Sequence, residues 1–219
     1  MFEQGFLTPN FDGRRPDVSD PAPGPHSTAK SVGPISLAPA EASDEAVLYQ
    51  TFASTRAEEM ALTGWNVDQQ EAFLRMQYEA QRRSYRNDLP DAEYSVIRCD
   101  GTAAGRLILH RTPEEIHVVD IALLPDFRGQ GIGSTLMKAI MEEAAHSAKT
   151  VDLHVERFNP ALRWYESLGF SVVDSGPIYL KMAWRPGSLA FGGPNRMASE
   201  SRPAIDATGN GEAYVNSTD

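Results

Sequence analysis

The sequence predicts an α+β domain in which a mixed, mostly antiparallel central sheet is flanked by helices. Three observations predict it: β-rich stretches with alternating polarity, helical apolar spacing between them, and an Asp100-Gly101 pair suited to a hairpin turn. We place one domain at residues 34–185. We expect the tails at 1–33 and 186–219 to be disordered, because they hold few large apolar side chains.

Two helices are predicted before the main sheet. The first begins at residues 43–45, where Ser-Asp-Glu is typical of a helix start. The second opens at Asp68-x-x-Glu71, a spacing that resembles a capping box. Their expected apolar contacts are Leu48, Phe52, Met60, Phe73, Met76 and Ala80.

Strands and helices then alternate along the rest of the domain. The predicted strands lie at residues 93–99, 103–111, 115–124 and 151–156, with a final pair near 170–173 and 177–184. A helix is predicted from Gly133 to about Ser147, with Leu136, Ile140 and Ala144 on one face, and a shorter one at 160–168.

Composition narrows the class of protein. The 219 residues are 41% hydrophobic, and no apolar run approaches the ~20 residues that span a bilayer. The net charge of −10 argues against a nucleic-acid partner. Residues 1–30 do not resemble a signal peptide, and Cys99 has no second cysteine with which to pair. We therefore expect a cytoplasmic protein with no membrane partner.

A glycine-rich loop follows the third predicted strand of the sheet and opens the next helix. It reads Arg128-Gly129-Gln130-Gly131-Ile132-Gly133. Glycines remove Cβ atoms where a backbone must turn tightly and approach a ligand, and amide N–H groups at a helix N-terminus bind anions. The loop therefore predicts a site for a pyrophosphate.

Two other phosphate-binding motifs fit this loop poorly. A Walker loop has a lysine directly before its Ser or Thr, whereas Gly133 precedes Ser134 and Thr135 here. A dinucleotide fingerprint needs Gly-x-Gly-x-x-Gly after a first strand, which differs in spacing and in position. Nucleoside triphosphate chemistry is therefore disfavoured.

The loop resembles the coenzyme A pyrophosphate loop of the GNAT N-acetyltransferase superfamily, Arg/Gln-x-x-Gly-x-Gly/Ala. A second block, residues 159–170, resembles the segment of that family in which a short helix carries a tyrosine and ends at Gly169-Phe170. Both blocks stand in the family's order, and the resemblance covers roughly residues 34–185. It implies the GNAT fold, with acetyl-CoA as cofactor and the amine of a small molecule or peptide as acceptor.

The resemblance also implies which residues bind the cofactor. In the family, the strand before the phosphate loop is bulged and splays from the next strand, so that its free backbone groups pair with pantetheine. By position, the implied cofactor-binding residues are Ile121, Ala122, Leu123, Arg128, Gly129, Gln130, Gly131, Ile132, Gly133, Ser134 and Asn159. Asn159 departs from the family's Asn-x-x-Ala, since Asn159-Pro160-Ala161 is one residue shorter; it could instead cap a helix with Pro160 in first position.

Tyr165 is the general acid that the resemblance implies. It aligns with the family's tyrosine near the thioester sulfur, and a phenol with a pKa near ~10 can donate its proton to a leaving thiolate. The alternative for Tyr165 is a packing role beside Trp164 and Leu168. No metal site is implied.

The general base is left open between several residues. His154 and His117 rank equally, since an imidazole accepts a proton near neutral pH, and Asp120 ranks third. Strand alternation puts Glu115 and His117 on one face and Asp120 on the other, unless a bulge intervenes.

Three hypotheses for function follow. An acetyl-CoA-dependent N-acetyltransferase leads, a coenzyme A-binding regulatory module without catalysis is the second, and transfer of a longer acyl chain is a variant of the first. Trp65, Tyr78 and Tyr85 could enclose a small amine, although such aromatics are more often core residues. A homodimer is one option for the assembly.

Overall fold

The computed structural model describes residues 33–187, and nearly all of both predicted tails lies outside the described residues. Two short 3₁₀ helices, Ala42–Asp44 and Pro125–Phe127, connect the main elements. In chain order these are β1 (Ile35–Pro39), α1 (Glu45–Ser54), α2 (Ala57–Leu62), α3 (Val67–Asp88), β2 (Glu93–Cys99), β3 (Thr102–Arg111), β4 (Glu115–Leu123), α4 (Ile132–His146), β5 (Thr150–Glu156), α5 (Leu162–Ser167), β6 (Ser171–Ser175) and β7 (Tyr179–Trp184).

All seven described strands form one sheet in the order β1-β2-β3-β4-β5-β7-β6. The pairing is antiparallel throughout, except between β4 and β5, which run parallel with α4 as their crossover. The prediction of a mixed, mostly antiparallel sheet flanked by helices is confirmed.

The two faces of the sheet are covered by different helices. On one face, which we call the α4 face, Leu107 and Leu109 of β3 join a buried core with α4. On the other, the α1 face, a smaller cluster forms around Phe52 of α1 and Tyr78 of α3. Because strand side chains alternate, Arg106 of β3 is directed to the α1 face, where its guanidinium lies 5.6 Å from the Phe52 ring.

Local sequence signals locate the strands and α4 well. The predicted strand at 93–99 coincides with β2, and the others agree with the observed strands to within two residues. The hairpin prediction is confirmed, since Asp100 and Gly101 have φ of 50° and 75°. Positive φ at both central residues is the geometry of a type I′ turn.

The helices before the sheet depart from the prediction. The first predicted helix ends at Ser54, so Met60 belongs to the separate helix α2. Hydroxyl groups explain the break, because Ser54 Oγ donates to Thr51 O at 2.8 Å and Thr55 Oγ1 donates to Phe52 O at 2.7 Å. Such side-chain bonds compete with the helical ladder.

The capping box of α3 lies two residues before the predicted one. Asn66 Oδ1 accepts from Gln69 N at 2.9 Å, and Gln69 Oε1 accepts from Asn66 N at 3.0 Å. Glu71 instead accepts from the Tyr49 hydroxyl at 2.6 Å.

Strand β1 was not predicted; it is five residues long and pairs with the outer edge of β2.

Residues 33–187 show neither a membrane-spanning helix nor a metal site. No helix in that range is long and apolar enough to cross a membrane. No group of three or more His, Cys, Asp and Glu side chains within it could hold a metal ion.

The centre of the sheet carries a bulge and a split. Across β3 and β4, Leu109 pairs with Val118 but Ile108 pairs with Asp120, so Val119 is an extra residue on β4. Strands β4 and β5 are paired from Glu115↔Thr150 to Val118↔Leu153, and no further pair follows. The structure therefore has the bulged and splayed strand that the resemblance implied.

Candidate active site

A cleft opens where β4 and β5 separate. From Asp120 to Leu123, β4 pairs with β3 alone, and from His154 to Glu156, β5 pairs with β7 alone. The edge of β4 therefore faces a cavity of about 590 Å³. This cavity is lined by β4 residues 118–123, β5 residues 154–156, Tyr165 of α5 and residues 54–56 at the end of α1, among others.

Gly105 allows β3 to lie close to β4 on the side opposite this free edge. A Cβ atom on Gly105 would come within 2.2 Å of Ala122 O and 2.9 Å of Leu123 Cα. Atoms that close would overlap, so a side chain at this position would displace β4. The glycine within the predicted strand marks this close approach.

The glycine-rich loop forms the floor of a second cavity of about 450 Å³. Gly129 and Gly131 have φ of 70° and 84°, a conformation that L side chains rarely adopt, and no heavy atom lies within 4 Å of the Cβ that either would carry. Gly131 is the N-cap of α4 and provides no side-chain cap, which leaves the first amides of the helix available to an anion. The cavity is lined by Ile121, Ala122, Leu123, Arg128, Gly129, Gly131, Ile132, Gly133, Ser134 and Trp164.

Arg128 braces this loop. Its Nε donates to Leu123 O at 2.8 Å, and its Nη2 donates to Ser54 Oγ at 2.7 Å, so it joins the loop to β4 and to α1. Gln130 is absent from the lining of both cavities just described, because its amide donates to Asp126 O.

Trp164 supports the loop from α5. Its Nε1 donates to Ser134 Oγ at 3.0 Å, and a Cβ on Gly133 would meet its ring at 3.3 Å. From the sequence, Trp164 is expected only to pack beside Tyr165, and this contact is not predicted. The Gly133-Ser134 pair gave no signal of its partner, since the two segments are 30 residues apart.

Tyr165 lies where β4 and β5 separate. It is 8% exposed, and its ring packs against those of Trp164 and Phe170 at centroid distances of 4.7 and 5.9 Å. Burial raises the pKa of its phenol, and the negative charge of Asp120 raises it further. The phenol therefore stays protonated at neutral pH and can act as a proton donor.

The two candidate histidines lie together, but one alone lines the cleft. His154 is part of the cleft wall, whereas His117 does not line the cleft and lies in the paired part of β4; the two ring centroids are 5.4 Å apart in a T-shaped arrangement. His154 is exposed, but its partial desolvation lowers the pKa of the imidazole below its ordinary value of 6.5, and repulsion by His117 lowers it further. His154 is therefore neutral, and able to accept a proton, at pH 7.

Asp152 holds His117 in place. Its carboxylate is 1% exposed, with Oδ1 3.0 Å from His117 Nδ1 and Oδ2 2.8 Å from Lys181 Nζ. Burial alone would raise the pKa of Asp152, but the hydrogen bonds from His117 and Lys181 outweigh it and lower the pKa. Asp152 carries no motif that marks it in the sequence, although it shares a strand face with His154 two residues on.

The bulge moves Asp120 to the face of the sheet that carries His117. Simple alternation predicts the opposite face, but the extra residue Val119 shifts the register by one. Asp120 forms an ion pair with Arg106, whose Nη2 also donates to Gln81 Oε1 at 3.1 Å. Asp120 therefore lines the cleft as a partner of a buried guanidinium.

Asn159 lines the cleft, but the predicted helix cap is wrong. Helix α5 begins at Leu162, and its N-cap is Ala161, with Pro160 in the preceding turn. Asn159 Oδ1 accepts from Ala161 N at 2.8 Å, which forms a local turn before the helix. The segment Asn159-Pro160-Ala161 is one residue shorter than the family's Asn-x-x-Ala. The turn therefore uses the residues that would otherwise begin the helix, and α5 starts at Leu162.

The other candidates are spread over the molecule. Glu115 pairs with Thr150 at the closed end of the β4–β5 ladder, away from the cleft. Of the three aromatic residues considered for the acceptor, Tyr85 lines the cleft, Tyr78 belongs to the core of the α1 face, and Trp65 packs on Phe73.

Comparison with known proteins gives a consistent result. The model of the acetyltransferase (GNAT) family matches residues 58–170. The chain is 36% identical over 76 residues to a mycothiol acetyltransferase of Corynebacterium glutamicum, a match that covers 34% of this chain and 26% of that protein. It is 33% identical over 82 residues to a putative ribosomal protein bS18-alanine N-acetyltransferase of Bacillus subtilis, covering 36% and 54%. It is 31% identical over 94 residues to an acetyltransferase of Agrobacterium fabrum, covering 42% and 68%.

Solved structures share the fold. The PaiA N-acetyltransferase of Thermoplasma acidophilum, determined in complex with coenzyme A, superposes with a TM-score of 0.54 at 18% identity, over 69% of this chain and 99% of that one. An acetyltransferase of Thermus thermophilus gives a TM-score of 0.51 at 19% identity, over 70% and 98%. The chain spans about a quarter to a half of the first two curated relatives, so the comparisons leave the acceptor unidentified.

Proposed function

Because this chain belongs to the acetyltransferase (GNAT) family, we propose that it transfers the acetyl group of acetyl-CoA to a primary amine of a small molecule or peptide, by direct attack within a ternary complex. One observation carries the proposal: the unpaired edge of β4 from Asp120 to Leu123 leads directly to the glycine-rich N-terminus of α4. An extended chain ending in a pyrophosphate needs both features in that order.

The residues present suit acetyl-CoA. Backbone groups on the free edge of β4 along Ile121, Ala122 and Leu123, other than Leu123 O, which accepts from Arg128, would hold the pantetheine arm by strand-like pairing. Amides at the start of α4, with the open space over Gly129 and Gly131, would hold the pyrophosphate. When bound, acetyl-CoA supplies an activated thioester carbonyl.

The side chains in the cleft divide the proton transfers between them. His154 carries a neutral imidazole that can take the proton of the attacking amine, directly or through a water molecule. Tyr165 keeps its hydroxyl proton available for the departing sulfur. In this assignment His117 and Asp120 are not the base, because His117 does not line the cleft and Asp120 is engaged by Arg106.

A screen of amines tests the proposal and identifies the acceptor class. The purified full-length chain is incubated with acetyl-CoA and a panel of amines, and release of free thiol is followed against samples without acceptor. We expect acceptor-dependent release for at least one amine class, and the same panel with propionyl-CoA tests longer acyl chains. Coenzyme A binding without thiol release for any amine would contradict the proposal and favour a regulatory module that binds coenzyme A.

We also propose a cytoplasmic location. Cys99 is a buried free thiol, and a chain with a single cysteine cannot form the internal disulfide that an oxidising compartment would favour. Fractionation of cells that express the full chain, followed by immunodetection, would test this.

A further inference from the structure

Arg56 is a buried cation in the wall of the cleft. It lies at the junction between α1 and α2, is 5% exposed, and its guanidinium stacks over the Phe52 ring at 3.7 Å from the centroid. The residue lines the same cavity as His154 and Tyr165. A buried charge is costly unless it is paired, so the partners of Arg56 are informative.

The chain satisfies Arg56 incompletely. Nη1 donates to Thr55 Oγ1 at 2.9 Å and to Phe52 O at 3.5 Å, which helps to cap the end of α1. Nε is buried with no hydrogen-bond partner, and Nη2 forms no hydrogen bond with any residue that the structure describes. Within residues 33–187, no carboxylate forms an ion pair with Arg56.

Glu59, Asp120 and Glu156 act on Arg56 through their charges, but none of them forms an ion pair with it within residues 33–187. Asp120 is paired with Arg106, and Glu156 is hydrogen-bonded to Tyr179. Burial raises the pKa of Glu59 while the charge of Arg56 lowers it, and Glu58 is exposed at the rim. The Nε and Nη2 groups of Arg56 therefore have no anion within hydrogen-bond distance.

We infer that the acceptor is an amino-carboxylate and that Arg56 binds its carboxylate from the wall of the cleft. This inference rests on the proposed function, since it names the class of amine that the same cleft acetylates. A guanidinium presents planar, charged N–H donors to the oxygens of a carboxylate, and Nη2 is the donor that the chain leaves for a ligand, because Nε is enclosed by protein atoms. The amine of the same molecule would then face the β5 wall, where His154 lies.

Matched acceptors test the inference. Free amino acids and the corresponding amino acid amides are compared as acceptors of the wild-type chain, Arg56→Gln and, as a control, Arg83→Gln, which alters an exposed arginine of α3 away from the cleft. The deciding quantity is the acid-to-amide ratio of kcat/KM, compared between variants so that the different amine pKa values cancel. We expect Arg56→Gln to lower this ratio about 30-fold or more through a higher KM for the acids. Arg83→Gln should leave it unchanged.

A binding measurement keeps the test independent of turnover and of folding. Calorimetry with N-acetylglycine and N-acetylglycinamide should show tighter binding of the acid to wild type and no such preference in Arg56→Gln, provided that circular dichroism shows both proteins folded. Arg56→Lys, which keeps the charge but loses the planar guanidinium, should retain part of the preference.

The alternative outcomes are distinguishable. An unchanged acid-to-amide ratio in folded Arg56→Gln would overturn the inference while leaving acetyl transfer intact. A rise in the KM for acetyl-CoA, with the acceptor preference retained, would also overturn it and assign Arg56 to the donor site. Absence of transfer to every amine, acid or amide, would instead contradict the proposed function itself.

Discussion

The imidazole of His154 meets that of His117 edge to face, with the ring centroids 5.4 Å apart, and His117 is in turn held 3.0 Å from the buried carboxylate of Asp152. The two histidines are therefore coupled rather than independent candidates for the base. A substitution of either one changes the electrostatic environment of the other.

The first prediction separates their roles by pH. A base is active when deprotonated, so turnover should be present above the pKa of His154, which lies below 6.5, and should be lost as the pH falls through it. His154→Gln should lower kcat about 100-fold and remove this acid limb. His117→Gln should keep the limb but move its midpoint upward, because a repulsive neighbour of His154 is lost.

The measurement is a pH–rate profile for both variants with an identified acceptor. Loss of the limb in His117→Gln alone would reverse the assignment. Wild-type profiles in both would transfer the role to Asp120 or water, since Glu115 lies away from the cleft.

The second prediction concerns Tyr165. Tyr165→Phe keeps the ring that packs against Trp164 and Phe170 but removes the hydroxyl proton. If that proton is delivered to the leaving sulfur, kcat should fall about 100-fold while the affinity for acetyl-CoA changes little. Single-turnover kinetics and calorimetry measure the two quantities, and equal turnover in both proteins would reduce Tyr165 to a packing residue.

The third prediction tests the glycine-rich loop with a matched control. Gly129 and Gly64 have φ of 70° and 68°, and each has open space at its Cβ position. Alanine should therefore strain both positions similarly, by about 1 kcal/mol. Gly129→Ala places a methyl group in the loop cavity and should weaken coenzyme A binding about 10-fold, whereas Gly64→Ala should not. Equal affinities in the two folded variants would remove the loop from the binding site.

The fourth prediction links Asp152 to stability. Its pKa is lowered on folding, so its stabilisation is fully present above its ordinary value of 3.8 and is lost as the pH falls through the lower, folded-state pKa. Asp152→Asn should cost about 2–3 kcal/mol at pH 7, with the difference from wild type shrinking below about pH 4. Urea unfolding at several pH values measures this, with exposed Asp91→Asn as the control. A difference independent of pH would show that packing, and not charge, is lost.

Local signals explain which parts of the fold were predictable. Strands β2 to β4 and the turn at Asp100-Gly101 follow from alternation and from turn chemistry, both of which act over a few residues. Strand β1 was missed because its five residues form a strand only through pairing with β2, about 60 positions later in the chain.

In the candidate site too, the residues marked by local motifs were predictable and those positioned by long-range packing were not. The loop and Tyr165 were found from motifs, since a backbone that approaches a phosphate needs glycine at fixed spacing. The bulge at Val119 depends on the register between β3 and β4, which no local pattern specifies. Arg56 and Asp152 were missed because their roles arise from long-range packing: a buried guanidinium looks like any other arginine in the sequence.

The short parallel ladder between β4 and β5 has a mechanical consequence. Four residue pairs, from Glu115↔Thr150 to Val118↔Leu153, join the sheet half that holds α1 to α3 to the half that holds α5. The two halves are thus hydrogen-bonded to each other at one end of β4 and β5 and separated at the other end. Small rotations of the two sheet halves about this closed end would widen or narrow the cleft at the open end. Any molecule that spans the opening ties both halves together, so occupancy of the cleft should stiffen the whole domain.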